Sequence, residues 1–153
     1  MKRIMFVCHG NICRSPMAEI IFRDMVEKCG RMSEFRISSC ATSTEEIWNG
    51  IGNPVYPPAK AELERHGLSC DGKRAVQLKK SDYSKYDLFL CMDDRNVRSS
   101  IRIFGGDREN KVKKLMSFTG EDRDISDPWY SGDFTATYKD IYKCCVELLK
   151  KID

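Results

Sequence analysis

The chain has 153 residues, of which 41% are hydrophobic and 32% charged, and its formal net charge at pH 7 is +3. This composition is typical of a globular protein that contains enough apolar residues for a core. The lysines and arginines are scattered, and no apolar run approaches the ~20 residues of a membrane-spanning helix, so we expect neither nucleic-acid binding nor membrane insertion.

Short apolar runs alternate with helical patterns along the first half of the chain. Residues 4–7 form a continuous apolar run, which is typical of a parallel strand buried on both faces. Apolar residues recur at helical spacing between positions 18 and 26, and Gly30 predicts the end of that helix. A second strand, a Pro-rich loop and a second helix are predicted over residues 35–40, 53–58 and 57–66.

The second half continues the alternation. The sequence predicts a third strand over residues 86–92 and a helix over residues 94–103 that Asp93 or Asp94 caps. A fourth strand (112–116), a polar loop (117–130) and a final helix (134–150) follow. The final helix is expected to bury Tyr138, Ile141, Tyr142, Cys145, Leu148 and Leu149. This pattern predicts one α/β domain over residues 1–153, with a four-stranded parallel sheet covered by helices on both faces in a flavodoxin-like or Rossmann-like arrangement. Ligands of such folds bind at the carboxyl ends of the strands.

The eight cysteines are not expected to form a disulfide framework. The N-terminal apolar run is too short for a secretion signal, and no Cys-x-x-Cys pair occurs. Only two histidines are present, and no cluster has the spacing of metal ligands. We therefore expect a cytoplasmic protein with reduced thiols and no metal. Six cysteines are predicted to be small buried hydrophobic residues: Cys29, Cys40, Cys70, Cys91, Cys144 and Cys145.

The segment between the first predicted strand and helix, residues 7–16, reads Val-Cys-His-Gly-Asn-Ile-Cys-Arg-Ser-Pro. A Cys-x5-Arg loop in that setting predicts a phosphate cradle, because inward N–H groups and a helix N-terminus favour a dianion. Arg14 offers a planar fork to two phosphoryl oxygens. The same charges favour the nucleophilic thiolate of Cys8. The cradle itself comprises His9, Gly10, Asn11, Ile12 and Cys13.

Ser15 follows the cradle, and two roles are open for it. Its hydroxyl could donate a hydrogen bond to the sulfur of Cys8 and stabilise the thiolate. Alternatively, it could cap the helix, because Pro16 suits the first helical position.

At these residues the chain resembles the low-molecular-weight protein tyrosine phosphatases, whose signature Val-Cys-x-Gly-Asn-x-Cys-Arg-Ser-Pro matches residues 7–16. Other segments follow in the family's order: Ala41-Thr42-Ser43, Arg65-His66-Gly67, Leu90-Cys91-Met92-Asp93, Asp127-Pro128-Trp129 and Cys144-Cys145. The resemblance implies hydrolysis of phosphotyrosine and aryl phosphates through a cysteinyl-phosphate intermediate, without a cofactor. It also implies a phosphotyrosine-containing protein as the partner, with a tyrosine kinase as one candidate.

Asp127 is the candidate general acid, because expulsion of a phenolate gains from a proton donor. An Asp-Pro pair is by itself most often a turn, but the resemblance implies the acid role here. It also implies an aromatic pocket wall at Trp129 and Tyr130. The opposite wall is expected within residues 45–60, from Glu46, Ile47 or Trp48, and we favour Trp48.

The resemblance further implies that Asn11, Ser39 and His66 hydrogen-bond together and support the phosphate loop. Alternatively, Asn11 serves a tight turn, and His66 is an ordinary residue at a helix end. Cys13 is either a small loop residue or the partner that captures oxidised Cys8 as a disulfide.

Four other functions use a similar loop or ligand, and particular residues of this chain disfavour each of them. Protein arginine phosphatases resemble this chain but carry Thr where Ile12 stands, which favours phosphotyrosine. Arsenate reductases need two more cysteines close in sequence, whereas Cys70 and Cys91 lie far apart. A phosphocysteine carrier domain has no use for Asp127, and a phosphotyrosine-binding module has no use for Cys8. Multiple turnovers distinguish an enzyme from the last two.

Overall fold

The computed structural model describes residues 1–152. Its strands are β1 (Lys2–Cys8), β2 (Phe35–Ala41), β3 (Ile47–Trp48), β4 (Ile51–Gly52), β5 (Leu88–Cys91) and β6 (Val112–Lys114). Its α-helices are α1 (Arg14–Lys28), α2 (Pro57–Arg65), α3 (Asp94–Phe104), α4 (Pro128–Ser131) and α5 (Phe134–Lys151).

Four strands form a parallel sheet in the order β2-β1-β5-β6, which confirms the predicted fold class. β1 lies in the interior of the sheet and pairs with β2 on one side and β5 on the other. Val7 is in register with both Cys40 and Cys91, so the carboxyl ends of the three strands lie at one edge. Cys8 is the last residue of β1 and therefore lies at that edge.

Alternation along β1 divides the core between the two faces of the sheet. Ile4 and Phe6 belong to the larger apolar cluster, which includes α1 and α5. Met5 and Val7 belong to a second cluster on the opposite face, which includes Phe104 of α3. Both faces are buried, so the continuous apolar run at the start of the chain has a direct structural cause.

The prediction for the last helix was correct in extent but wrong at one buried position. Ile141, Cys144, Cys145 and Leu148 are fully buried, at the i, i+3, i+4, i+7 spacing of a helix face. Tyr142 is 48% exposed, because it lies beside that stripe rather than within it. The predicted burial of Cys29 is also wrong, because this residue is exposed at the end of α1.

Three further predictions of local structure are corrected. The fourth strand ends at Lys114 rather than at residue 116, because Leu115–Thr119 turns into a 3-10 helix that buries Leu115 and Met116. The predicted polar loop 117–130 contains part of that turn and the start of α4. No strand is predicted between the second strand and α2, where the structure has the antiparallel hairpin β3–β4 before the Pro-rich loop 53–58.

No helix within residues 1–152 combines the length and the apolar character that crossing a membrane requires.

Candidate active site

The loop between β1 and α1 surrounds the sulfur of Cys8, whose residue is only 3% exposed. The backbone N–H groups of Asn11 and Ser15 donate to Sγ over 3.3 and 3.4 Å. Ser15 Oγ lies 3.0 Å from the same sulfur. Because α1 has no side-chain cap, the hydroxyl of Ser15 takes the first of the two roles considered for it, the bond to sulfur.

Asn11 holds the loop in shape. Its backbone φ of 59° lies in the left-handed region, which Asn tolerates better than most residues. Its side-chain Nδ2 donates to Ser15 Oγ at 2.7 Å and to Ser39 Oγ at 3.0 Å, and its Oδ1 accepts from the N–H of Val76 at 3.0 Å. The two roles considered for Asn11, turn residue and loop support, are thus combined in one buried side chain.

The hydrogen-bond chain continues from Ser39 to a buried carboxylate. Ser39 Oγ donates to Glu19 Oε1 over 2.5 Å, and Glu19 is 7% exposed. Two cations balance this carboxylate: Lys73 Nζ at 3.4 Å and Arg23 Nη2 at 3.0 Å. Lys73 Nζ also donates to the carbonyl of Ser39 at 3.2 Å. A continuous set of polar contacts therefore joins Glu19 to the sulfur of Cys8.

His66 is not part of this set, contrary to the expectation. Its Nε2 lies 2.9 Å from Glu62 Oε2, and its ring stacks on Tyr138 with 3.7 Å between ring centroids. Glu62 also accepts hydrogen bonds from Arg65 and from Thr135 of α5. His66 therefore joins α2 to α5, whereas Lys73 and Glu19 occupy the supporting position beside Ser39.

Arg14 is held at the pocket by its neighbours, and it is 3% exposed. Its Nη1 donates to Asp93 Oδ2 at 2.8 Å and to the carbonyl of Ile125 at 2.9 Å. Its Nη2 lies 3.5 Å from Asp127 Oδ2. Burial alone lowers the pKa of Arg14, but the charges of Cys8, Asp127 and Asp93 raise it above its ordinary value, so the guanidinium stays charged.

Sequence reasoning missed Glu19 and Asp93 as site residues, although each had a signal. Glu19 follows Ser15 by four positions, so the two side chains share one face of α1. Asp93 follows β5 at the carboxyl edge of the sheet, next to Cys8. Its Oδ1 accepts from the N–H of Asn96 at 2.7 Å and caps α3, as predicted, while its other oxygen binds Arg14.

Asp127 lies across the pocket from the loop. Its Oδ1 accepts from the N–H of Trp129 at 3.1 Å and caps the short helix α4, so the Asp-Pro pair is also a turn. The segment before it is tied to the core, because the N–H of Ile125 donates to Met92 O at 2.9 Å. Thr137 Oγ1 of α5 donates to the carbonyl of Ser126 at 3.1 Å.

These groups face a pocket of about 140 Å³. It is lined by Cys8, His9, Gly10, Asn11, Ile12, Cys13, Arg14, Glu45, Glu46, Asp127, Trp129 and Tyr130. Trp129 and Tyr130 form an aromatic side of the pocket, and the ring of Tyr56 supports Trp129 at a centroid distance of 4.7 Å. The phosphate loop at the base of the pocket and the aromatic side above it suit a flat aryl group that carries a phosphoryl group.

The second wall differs from the one that we favoured. Glu45 and Glu46 line the pocket, and Glu45 Oε2 lies 3.0 Å from His9 Nε2. Trp48 is not among the lining residues and is 79% exposed, because the β3–β4 hairpin carries it outward. Glu46, one of the alternatives considered, lies in the wall instead.

Cys13 also lines the pocket, and its thiol is free. Burial, followed by the charges of Cys8 and Asp127, raises the pKa of Cys13 to about 12. Cys13 is therefore a protonated thiol beside the candidate nucleophile at neutral pH. Within residues 1–152, no group of three or more His, Cys, Asp or Glu side chains is arranged to hold a metal ion.

Comparison with known proteins places this geometry in a family. The family model for low molecular weight phosphotyrosine protein phosphatase matches residues 3–153. The chain is 35% identical to the low molecular weight protein-tyrosine-phosphatase YfkJ of Bacillus subtilis over 154 residues, covering 99% of this chain and 96% of YfkJ. It is 36% identical to the low molecular weight phosphotyrosine protein phosphatase of Homo sapiens, covering 98% and 95% of the two chains.

Solved structures agree with the sequence comparison. The crystal structure of YfkJ superimposes with a TM-score of 0.93 at 34% identity, over 99% of this chain and 94% of that one. SP-PTP, the low molecular weight protein tyrosine phosphatase of Streptococcus pyogenes, superimposes with a TM-score of 0.87 at 31% identity, over 100% and 94% of the two chains. With a family match across nearly its whole length and the Cys8–Arg14 cradle in place, this chain belongs to the low molecular weight phosphotyrosine protein phosphatase family.

Proposed function

We propose that the protein hydrolyses phosphotyrosine in proteins, and small aryl phosphates, by two displacements at Cys8. In the first, the thiolate attacks phosphorus, the S–P bond forms and the bond between phosphorus and the phenolic oxygen breaks. Asp127 gives its proton to the leaving phenolate. Arg14 and the loop N–H groups bind the equatorial oxygens, where negative charge develops.

In the second displacement, water attacks the cysteinyl-phosphate. Asp127, now ionised, takes a proton from that water, the S–P bond breaks, and inorganic phosphate leaves with the Cys8 thiolate restored. The observation that carries this proposal is the setting of Cys8 Sγ, which faces two backbone N–H groups and the Ser15 hydroxyl in the same pocket as Arg14 and Asp127. Such an array stabilises both a thiolate and a bound dianion.

The pocket also supports tyrosine as the substrate side chain. Trp129 and Tyr130 offer aromatic faces to a phenyl ring, and Ile12 offers no hydroxyl to a guanidino leaving group. A phosphorylated tyrosine kinase is among the protein substrates proposed, because it carries the same phosphotyrosine group. The relatives from Bacillus subtilis and Homo sapiens, a protein-tyrosine-phosphatase and a phosphotyrosine protein phosphatase, agree with this substrate class.

The test compares initial rates on two peptides that differ only in phosphotyrosine or phosphoarginine, in metal-free buffer. We expect many turnovers per enzyme on the phosphotyrosine peptide and none with Cys8→Ser, because an alcohol at that position is not ionised at neutral pH. The Cys29→Ser variant, which alters an exposed cysteine at the end of α1, is the matched control and should retain the rate. Turnover by Cys8→Ser, or a higher rate on phosphoarginine, would contradict the proposal.

A further inference from the structure

The β3–β4 hairpin exposes two large apolar side chains that have no partner in the core. Trp48 and Ile51 are 79% and 63% exposed. They are directly paired across the two strands, and residues opposite one another in an antiparallel pair lie on the same face. The other pair of the hairpin, Ile47 and Gly52, faces inward, where Ile47 packs against the main core. Solvent therefore meets one apolar face, which we call the Trp48–Ile51 face.

The turn of this hairpin is built to be rigid. Asn49 and Gly50 both have positive φ, of 49° and 75°. Asn-Gly with positive φ at both central positions is the signature of a type I′ turn, whose twist matches that of the flanking strands. The Trp48–Ile51 face thus needs little ordering before it contacts another molecule, which lowers the entropic cost of binding.

The hairpin is also fixed to the body of the protein. A Cβ added at Gly52 would lie 1.9 Å from the carbonyl oxygen of Ala75, so the two backbones are in close contact. Arg74 Nη1 donates to Gly52 O at 2.9 Å, and the N–H of Ala75 donates to Asn53 O at 2.9 Å. The next residue, Val76, donates its N–H to Asn11 of the phosphate loop. The hairpin and the catalytic loop are therefore fastened to the same short segment.

The Trp48–Ile51 face lies a short distance along the chain from the catalytic pocket. Glu46 lines the pocket, and Trp48 follows it by two residues, which an extended chain covers in about 7 Å at most. A phosphotyrosine bound at Cys8 places the residues on either side of it at the pocket mouth. An extended peptide advances by ~3.3 Å per residue, so the second or third residue from the phosphotyrosine reaches this face.

We infer that the Trp48–Ile51 face is a docking surface for the substrate polypeptide, and that it selects an apolar side chain two or three residues from the phosphotyrosine. The inference rests on the proposed function, because its occupant is the chain that carries the phosphotyrosine. Glu45 and Glu46 line the pocket and come directly before the hairpin in the chain, so like charge disfavours an acidic residue between the phosphotyrosine and the selected apolar side chain.

The experiment uses p-nitrophenyl phosphate and two phosphotyrosine peptides. One peptide has Leu at the second residue before and at the second residue after the phosphotyrosine, and the other has Ala at both positions. All other residues of the two peptides are neutral and identical. For the wild-type protein we expect kcat/KM to be about tenfold higher on the Leu peptide, because KM is lower. Burial of roughly 55 Å² of additional apolar surface would give an effect of this size. The double variant Trp48→Ala/Ile51→Ala should lose that preference and keep its rate on p-nitrophenyl phosphate.

The matched control is Tyr142→Ala, which removes an exposed aromatic side chain from α5 and should keep the preference for the Leu peptide. Equal rates of the wild-type protein on both peptides, with p-nitrophenyl phosphate still hydrolysed, would overturn the docking surface and leave the phosphatase activity in place. Hydrolysis of none of the three substrates would overturn the proposed function and this inference with it. The oligomeric state is measured by sedimentation. A wild-type dimer and a monomeric double variant would show that a second copy of the chain covers the face, and this result would also overturn the inference.

Discussion

At the scale of single residues, the site separates two cysteines that share one pocket. Cys8 accepts two backbone N–H bonds and contacts the Ser15 hydroxyl, so its sulfur is surrounded by donors. Cys13 lines the same pocket, but burial and the charge of Cys8 raise its pKa to about 12. The difference lies in the direction of the loop N–H groups, because both residues are almost wholly buried. The loop therefore directs its donors at the sulfur of Cys8, while the thiol of Cys13 is kept protonated at neutral pH.

Oxidation of Cys8 is expected to change this balance. Peroxide converts a thiolate to a neutral sulfenic acid and releases water. Burial, the largest cause, still raises the pKa of Cys13, but the charge of Cys8 no longer adds to it and Arg14 continues to lower it. Cys13 becomes more easily ionised and attacks the sulfenic sulfur, so that a disulfide forms and hydroxide leaves.

We therefore predict that Cys13→Ser makes inactivation by hydrogen peroxide irreversible. The wild-type protein, treated with peroxide and then with dithiothreitol, should recover most of its activity, because the disulfide protects Cys8 from further oxidation. Without Cys13, the sulfenic acid reacts with more peroxide to the sulfinic acid, which dithiothreitol does not reduce. Activity recovered after reduction measures the effect, and Cys29→Ser is the control because Cys29 is exposed and far from the loop in sequence. Equal recovery by Cys13→Ser would show that Cys13 has no protective role.

At the scale of elements, the segment that carries Asp127 is fastened to the end of the sheet by Lys114. This side chain of β6 is only 9% exposed, and its Nζ lies 2.9 Å from Asp124 and 3.3 Å from Asp94. Nζ also donates to the carbonyl of Asp122 at 2.9 Å, and the N–H of Asp94 donates to Asp124 at 3.1 Å. Asp127, the proposed general acid, therefore lies three residues after an ion-pair cluster that fixes Asp124.

We predict that Lys114→Met slows turnover by misplacing Asp127. The loss in kcat should be about tenfold on phenyl phosphate, a part of the ~10²–10⁴-fold that general acid catalysis contributes. It should be much smaller on p-nitrophenyl phosphate, whose leaving group needs little protonation. Lys113→Met is the matched control, because the preceding lysine of β6 makes none of these three contacts. Equal losses on both substrates would mean that Lys114 acts on stability or binding and not through the acid.

Elements also differ in how far the sequence determines them. The Cys8–Arg14 cradle is local, so its residues and its place between strand and helix could be predicted from ten consecutive positions. The support behind it joins α1, β2 and the segment around residue 73, and no local pattern assigns partners across such distances. The family resemblance implied His66 for that support, whereas Lys73 makes the contact with Ser39. The hairpin did have a local signal, because an Asn-Gly pair such as Asn49-Gly50 is typical of a tight turn between two strands. The polar residues around this pair made the stretch resemble a loop.

At the scale of the whole molecule, we expect the buried thiols to limit stability at alkaline pH. Burial raises the pKa of Cys91 and Cys144 to about 12, and that of Cys13 likewise. The pKa values of Cys40 and Cys145 lie well above the ordinary value of 9.0 for the same reason. On unfolding, each of these five thiols returns to water, where it ionises near its ordinary pKa.

The direction of the resulting pH dependence follows from proton binding. A group whose pKa is raised in the folded state contributes its full stability below its unfolded pKa, and that contribution is lost as pH rises towards the folded value. Each thiol then costs about 1.4 kcal/mol of unfolding free energy per pH unit, and five thiols together approach roughly 7 kcal/mol per unit. Since a typical domain is stable by only ~5–15 kcal/mol, the folded state should be lost within about two pH units above 9.

We therefore predict that the urea midpoint, measured with a reducing agent, stays level between about pH 7 and 8 and falls steeply above pH 9. Cys145→Ala tests the cause, because Cys145 is fully buried on α5 and its removal deletes one of the five ionising groups. The variant should be less stable at pH 7, since it leaves a small cavity, yet its unfolding free energy should fall less steeply with pH, by about 1.4 kcal/mol per unit. Cys29→Ala provides the comparison, because its exposed side chain meets water in both states and its removal should leave the slope unchanged. Identical slopes for Cys145→Ala and the wild-type protein would mean that another group, such as a buried tyrosine, sets the alkaline limit.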